Sequence, residues 1–210
     1  MEELDLLKKD WKKKENSFSQ VSEKEIYKML HHKSSSIVKW ILIISIIEVL
    51  LWTAINTVYS TEDLLESLNH EELLVYFRIQ NYLNYAIVVA FIFLFYKNYI
   101  NISTTSSTAQ LMKDILKTRK TVKYYVWYNL FLIILSVIVS FMLVLAYNPD
   151  AAALRSQMDS QGKYILLVIL MIVGTVLVSV GIFWIFYRLL YGILLKKLLA
   201  NYKVLKTLEF

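Results

Sequence analysis

Residues 164–187 read YILLVILMIVGTVLVSVGIFWIFY, a run without a single charged side chain. An α-helix needs about 20 consecutive apolar residues to cross roughly 30 Å of hydrocarbon, so this stretch is long enough to span a bilayer. Residues 37–59 and 125–147 are apolar runs of similar length, the former interrupted by Lys39 and Glu48. A further run over 77–96 begins with Arg78, Gln80, Asn81 and Asn84 before it turns apolar at Tyr85. Four spans predict an all-α protein, an integral membrane four-helix bundle. In the last span the small residues Gly174, Ser179 and Gly181 permit close approach of a neighbouring helix.

Composition agrees. The chain has 210 residues, 57% of them hydrophobic, and a mean hydropathy of +0.49, above the roughly 45–50% apolar content of soluble domains. A formal charge of +6 raises nucleic acid as a partner, but the basic residues flank the spans, where topology accounts for them, and no nucleic-acid partner is expected. With no cysteine, disulfides, thiolate metal sites, iron–sulfur clusters and cysteine nucleophiles are excluded. The first 36 residues are polar and largely charged, so the first span is expected to act as an uncleaved anchor.

Orientation follows from the connections. Eight Lys precede the first span, six Lys or Arg occupy 97–124 and five follow from Arg188 onward. Residues 60–76 have none and carry Glu62, Asp63, Glu66, Glu71 and Glu72 instead; the 148–163 connection has only Arg155 and Lys163. The positive-inside rule then places both termini in the cytoplasm. Trp40, Trp52, Trp127 and Trp184 fall near span ends, as interfacial aromatics do.

Few residues break the helices. Of four Gly and one Pro, only Gly192 separates a span from its cytoplasmic flank, so the helices are expected to continue past the bilayer at 108–124 and 188–208. Ser22 with Glu25 forms a capping-box pattern that starts a helix running into the first span, about 55 Å from Ser22 to Val58 at 1.5 Å per residue. Ser and Thr between Ser103 and Thr108 are expected to end one helix and cap the next. In that next helix Leu111, Ile115 and Val122 share a face, with Lys113, Lys117, Lys120 and Lys123 mainly elsewhere. Asn69 with Glu72 resembles a second capping box on the outer side. Residues 1–36 form a separate cytoplasmic segment, ahead of a transmembrane domain over 37–210. Within it Leu4, Leu7 and Trp11, flanked by the Lys12, Lys13, Lys14 run, fit a short amphipathic helix lying on anionic lipid or in a partner's groove; a partly ordered charged tail is the plainer alternative.

Glu48 is the sharpest polar candidate, because it falls mid-span and the nearest basic residue before it is Lys39. Three outcomes fit a carboxyl there: protonation, a hydrogen bond to another helix, or a water-filled cavity. By depth, Ser136, Thr175 and Ser179 are its candidate neighbours. It reads either as a proton or cation site or, more plainly, as a structural interhelical hydrogen bond, made within one chain or across a homo-oligomer. Arg78, Asn81 and Asn84 recur at every third position and give the second span a polar face. They read as the mouth of a polar cavity, or as Arg78 snorkelling to the interface or pairing with acids such as Glu71. Asn56 and Asn129 lie near span ends. His31 and His32, adjacent on a helix, point apart and chelate poorly, and His70 sits among acids. Gly-rich phosphate loops, nucleophile elbows and zinc-peptidase motifs are missing, and no cofactor is expected.

The segments DLLKKDWKKKENSF, IYKMLHHKSSSIVKWILIISIIE and ILKTRKTVKYYVWYN resemble small four-helix inner-membrane proteins of Bacteroidota-type bacteria, over most of the chain. That family has no established function. Its members sometimes carry the label beta-carotene monooxygenase, which three His and no strand pattern do not fit, and they are often neighbours of sigma-factor genes. The resemblance thus implies a sigma factor as cytoplasmic partner, although no zinc-binding anti-sigma motif is present. Two functions are expected: a non-enzymatic regulatory or scaffold protein binding a partner through a basic helical surface, or a small transporter or channel subunit using Glu48.

Overall fold

The computed structural model describes residues 22–58, 74–160 and 162–208. Helix α1 spans Glu23–Val58, α2 Leu74–Thr104 and α3 Thr108–Tyr147. A 3-10 turn at Pro149–Ala151 leads into a short helix, α4, at Ala152–Ser160. Helix α5 covers Gly162–Tyr187, and after a single π-helical turn at Arg188–Gly192 the same rod continues as α6, Ile193–Leu208. Four of these rods are long and apolar enough to cross a membrane, and they pack as an all-α bundle.

The expected start of α1 is present. Ser22 N–H donates to Glu25 Oε2 at 2.9 Å and Glu25 N–H donates to Ser22 Oγ at 3.3 Å, the reciprocal pair of a capping box. Between α2 and α3 the chain breaks only over residues 105–107. Ser107 occupies the N-cap position in extended geometry, but its hydroxyl makes no capping bond; its carbonyl takes up Leu111 N–H instead. Gly192, where the sequence suggests a break, lies in the π turn, so the helix widens there rather than ending. The 148–163 connection holds α4 instead of an irregular loop. There Arg155 donates to the carbonyls of Ala146 and Asn148, and Ala151 N–H also donates to the Asn148 carbonyl, so the end of α3 is tied into the turn that follows it.

Buried positions recur with the spacing of a coiled-coil seam: Leu30, Ser34, Val38, Ile41, Ser45 and Glu48 on α1; Val88, Phe95 and Ile102 on α2; Tyr191, Leu198 and Leu205 on the last rod. They assemble two clusters. One gathers Leu30, Val38, Ile102, Leu111, Ile115, Leu198 and Leu205; the other gathers Ile41, Phe95, Val122, Tyr125, Leu130, Tyr187 and Tyr191. The first belongs to the basic end of the bundle, and the second lies at the level where the basic end gives way to the apolar one. Polar pairs tie the rods of the basic end together: Asn201 Nδ2 to Ser34 Oγ at 3.0 Å, Asn98 Nδ2 to Thr121 Oγ1 at 3.3 Å, and Tyr27 hydroxyl to the Thr105 carbonyl at 3.2 Å. Polar groups in a helical seam favour one register over its neighbours.

Toward the other end the rods show apolar side chains outward, with Leu50, Leu83, Phe131, Leu166 and Leu177 all exposed. Such a surface suits hydrocarbon, which removes the need to bury it. Exposed Trp40, Tyr96, Tyr124, Trp127 and Trp184 lie where the two kinds of surface meet, with Lys120 over the Tyr124 ring and Arg188 over the Trp184 ring. Aromatics with cations beside them suit a membrane–water boundary. Trp127 is followed toward the start of α3 by about 28 Å of helix at 1.5 Å per residue, which ends at Thr108.

Candidate functional site

Glu48 lies eight residues beyond Trp40 on α1, about 12 Å further along the helix. It is buried, with 3% exposure. Its two carboxylate oxygens are both taken: Tyr187 hydroxyl donates to Oε1 at 2.7 Å and Tyr191 hydroxyl donates to Oε2 at 2.9 Å. Tyr125 and Trp52 also lie within interaction range of the carboxylate. Both hydrogen bonds are made inside one chain, so the group needs no second copy to satisfy it.

The local architecture explains the convergence. Side chains on a helix tilt toward its N-terminus. Tyr187 and Tyr191 sit near the basic end of a rod whose N-terminus lies at the opposite end, so their hydroxyls lean up toward Glu48. Four residues apart, they occupy one face, and the π turn that begins after Tyr187 stacks their rings at 6.2 Å. Tyr125 packs edge-on against Tyr191, Phe91 and Phe95. A buried carboxylate is tolerated when its acceptors are filled, and two phenol donors do that here.

Beside this cluster, toward the apolar end, lies a cavity of about 680 Å³ between α1, α2, α3 and α5. Tyr125 and Tyr187 form part of its wall, whereas Glu48 sits behind them and does not line it. Asn84 accepts a hydrogen bond from Tyr128 hydroxyl at 2.9 Å across the cavity's α2–α3 side. Asn129, also in the wall, donates to the Tyr125 carbonyl of its own helix.

Of the residues singled out in the sequence, Asn81, Asn84, Ser136 and Ser179 are brought together on this cavity. Arg78 is exposed and lies outside its wall, and Thr175 is exposed on α5. Ser136 bonds the Ile133 carbonyl of its own turn. Glu48 therefore meets phenols near the basic end, not the mid-span hydroxyls expected from depth. Depth assigned from residue counts fails because α1 and the last rod are staggered. Tyr187 and Tyr191 escape sequence reasoning because a Tyr at a span end reads as an interfacial anchor; the one available signal is that their i, i+4 spacing puts two hydroxyls on one face. Leu4, Leu7, Trp11, Lys12, Lys13, Lys14 and the Asn69–Glu72 pattern lie outside the described residues.

Four long apolar helices packed around this carboxylate and cavity make the chain an all-α protein of the multi-pass membrane class. The chain belongs to the family described as a domain of unknown function, DUF8845, whose model matches residues 24–210. No curated protein and no solved structure matches it.

Proposed function

We propose that the chain is a non-enzymatic inner-membrane protein that holds a basic helical layer in the cytoplasm as a docking platform for a soluble protein, in a regulatory or scaffold role. The observation that carries this reading is where the packing lies. Val38, Ile102, Leu111, Ile115, Leu198 and Leu205 are wholly buried at the basic end, beyond the aromatic boundary. A protein that used only its spans would gain nothing from a core there, whereas a binding surface benefits from rigid support. The exposed side chains over that core include Lys113, Lys117, Lys120 and Lys123, a match for an acidic partner surface. A sigma factor is one such partner.

The test is affinity purification of the tagged chain from its native membrane in mild detergent. Reversing Lys113, Lys117, Lys120 and Lys123 to Glu is expected to release a soluble partner that Leu177→Trp, on the apolar surface, retains. A partner set unchanged by the reversal contradicts the platform.

A second reading is supported by Glu48. Its carboxylate is separated from the cavity by one layer of phenols, an arrangement able to pass a proton between them. In that reading the chain is a small transporter or channel subunit, and Glu48→Gln abolishes proton-coupled flux in vesicles. Loss of the partner on lysine reversal with flux absent in every form favours the first reading.

A further inference from the structure

The cavity wall is uncharged throughout. No Asp, Glu, Lys, Arg or His lines it among the described residues, and the nearby Glu48 carboxylate is buried with both oxygens engaged. An anionic or cationic head group entering here would lose its hydration and meet no counter-charge in the wall itself, since Arg78, three residues before Asn81 on α2, lies outside it.

The wall is nonetheless not indifferent. Asn56, Gln80 and Asn81 line it with side-chain amides that hold no hydrogen bond among the described residues. Each amide offers two donors and an acceptor, and unmatched polar groups are costly next to hydrocarbon. The same wall carries Trp52, Leu83, Leu132 and Phe183. Water would satisfy the amides while wetting these apolar walls. A hydrocarbon chain would do the reverse. One occupant meets both demands: an amphiphile whose polar end forms hydrogen bonds without carrying charge. The volume, about 680 Å³, falls within the roughly 300–1,000 Å³ of small-molecule sites.

We infer that this cavity binds an uncharged lipid of the diacylglycerol class, with its hydroxyl and ester oxygens at Asn56, Gln80 and Asn81 and its acyl body against Leu132 and Phe183. The site is independent of any partner at the basic end. It is filled from the membrane.

The experiment reconstitutes the full chain in phosphatidylcholine nanodiscs. These contain either a diazirine-bearing diacylglycerol or, at the same mole fraction, a diazirine-bearing phosphatidylglycerol. Irradiation is followed by peptide mapping. The diacylglycerol probe is expected to label peptides covering 79–88 and 125–137 at least about fivefold more than the phosphatidylglycerol probe does, a difference equivalent to roughly 1 kcal/mol of preference. Unlabelled diacylglycerol should compete. Ser179→Trp, which fills the space, and the double variant Gln80→Leu/Asn81→Leu, which removes two amides at exposed positions, should each abolish the selectivity, whereas Leu177→Trp on the lipid-facing side should preserve it. If Ser179→Trp fails to fold, the double variant carries the test. Equal labelling by both probes, or selectivity that survives the double variant, identifies ordinary boundary lipid and overturns the proposal.

Discussion

Glu48 and Tyr187, 139 residues apart in sequence, meet at 2.7 Å through carboxylate Oε1 and phenol hydroxyl. This contact and its twin from Tyr191 pin the last third of α1 to the junction between α5 and the π turn. Glu48→Leu would leave two buried hydroxyls without an acceptor, at a cost of about 1–3 kcal/mol each. Glu48→Gln keeps the shape and one acceptor oxygen and should lose much less. Thermal unfolding in a single detergent checks the order: wild type, then Gln, then Leu. A double-mutant cycle of Glu48→Gln with Tyr187→Phe should show coupling on the order of 0.5–3 kcal/mol; additive losses would mean that the contact is not formed.

The location of the core makes a second expectation. Ile115 is fully buried at the basic end, while Leu177 is 67% exposed within a span. Ile115→Ala should destabilise by roughly 2–5 kcal/mol, and Leu177→Ala should stay within about 0.5 kcal/mol. Comparable losses at both sites would mean that the stabilising core lies inside the membrane.

Asn201 and Ser34 provide a local test. The bond from Asn201 Nδ2 to the fully buried Ser34 Oγ joins α6 to α1. Asn201→Ala should cost about 1 kcal/mol and loosen α6 first. Hydrogen exchange should then speed up over 193–208 and stay unchanged over 162–187. Uniform acceleration of both segments would show that the pair supports the whole bundle rather than the docking of one rod.

Much of the architecture is legible in the sequence because its causes are local. The apolar runs mark the spans, the Ser22–Glu25 pattern marks where α1 begins, and scarcity of Gly and Pro lets α3 run unbroken from Thr108 to Tyr147. The site is only half legible. Glu48 stands out because a carboxylate in an apolar run is costly, and Asn81 and Asn84 stand out by their spacing on α2. The partners of Glu48 depend on how far one rod slides against another, which no single helix encodes. Hydroxyls such as Ser136 and Thr175, matched by depth, thus turn out to lie elsewhere. Tyr187 and Tyr191 replace them. The π turn is equally hidden, because nothing in RLLYG distinguishes it from ordinary helix beyond its one glycine.

The central claim, that the packed basic layer stands outside the bilayer on the cytoplasmic side, is tested most directly by thiol accessibility. The chain contains no cysteine, so a single Lys117→Cys or Leu177→Cys reports without background. A membrane-impermeant maleimide should label position 117 in inverted vesicles and not in intact spheroplasts, and should label position 177 in neither. Labelling of position 117 in intact spheroplasts, or its protection in both preparations, would contradict the platform and place the basic end outside the cell or within the membrane.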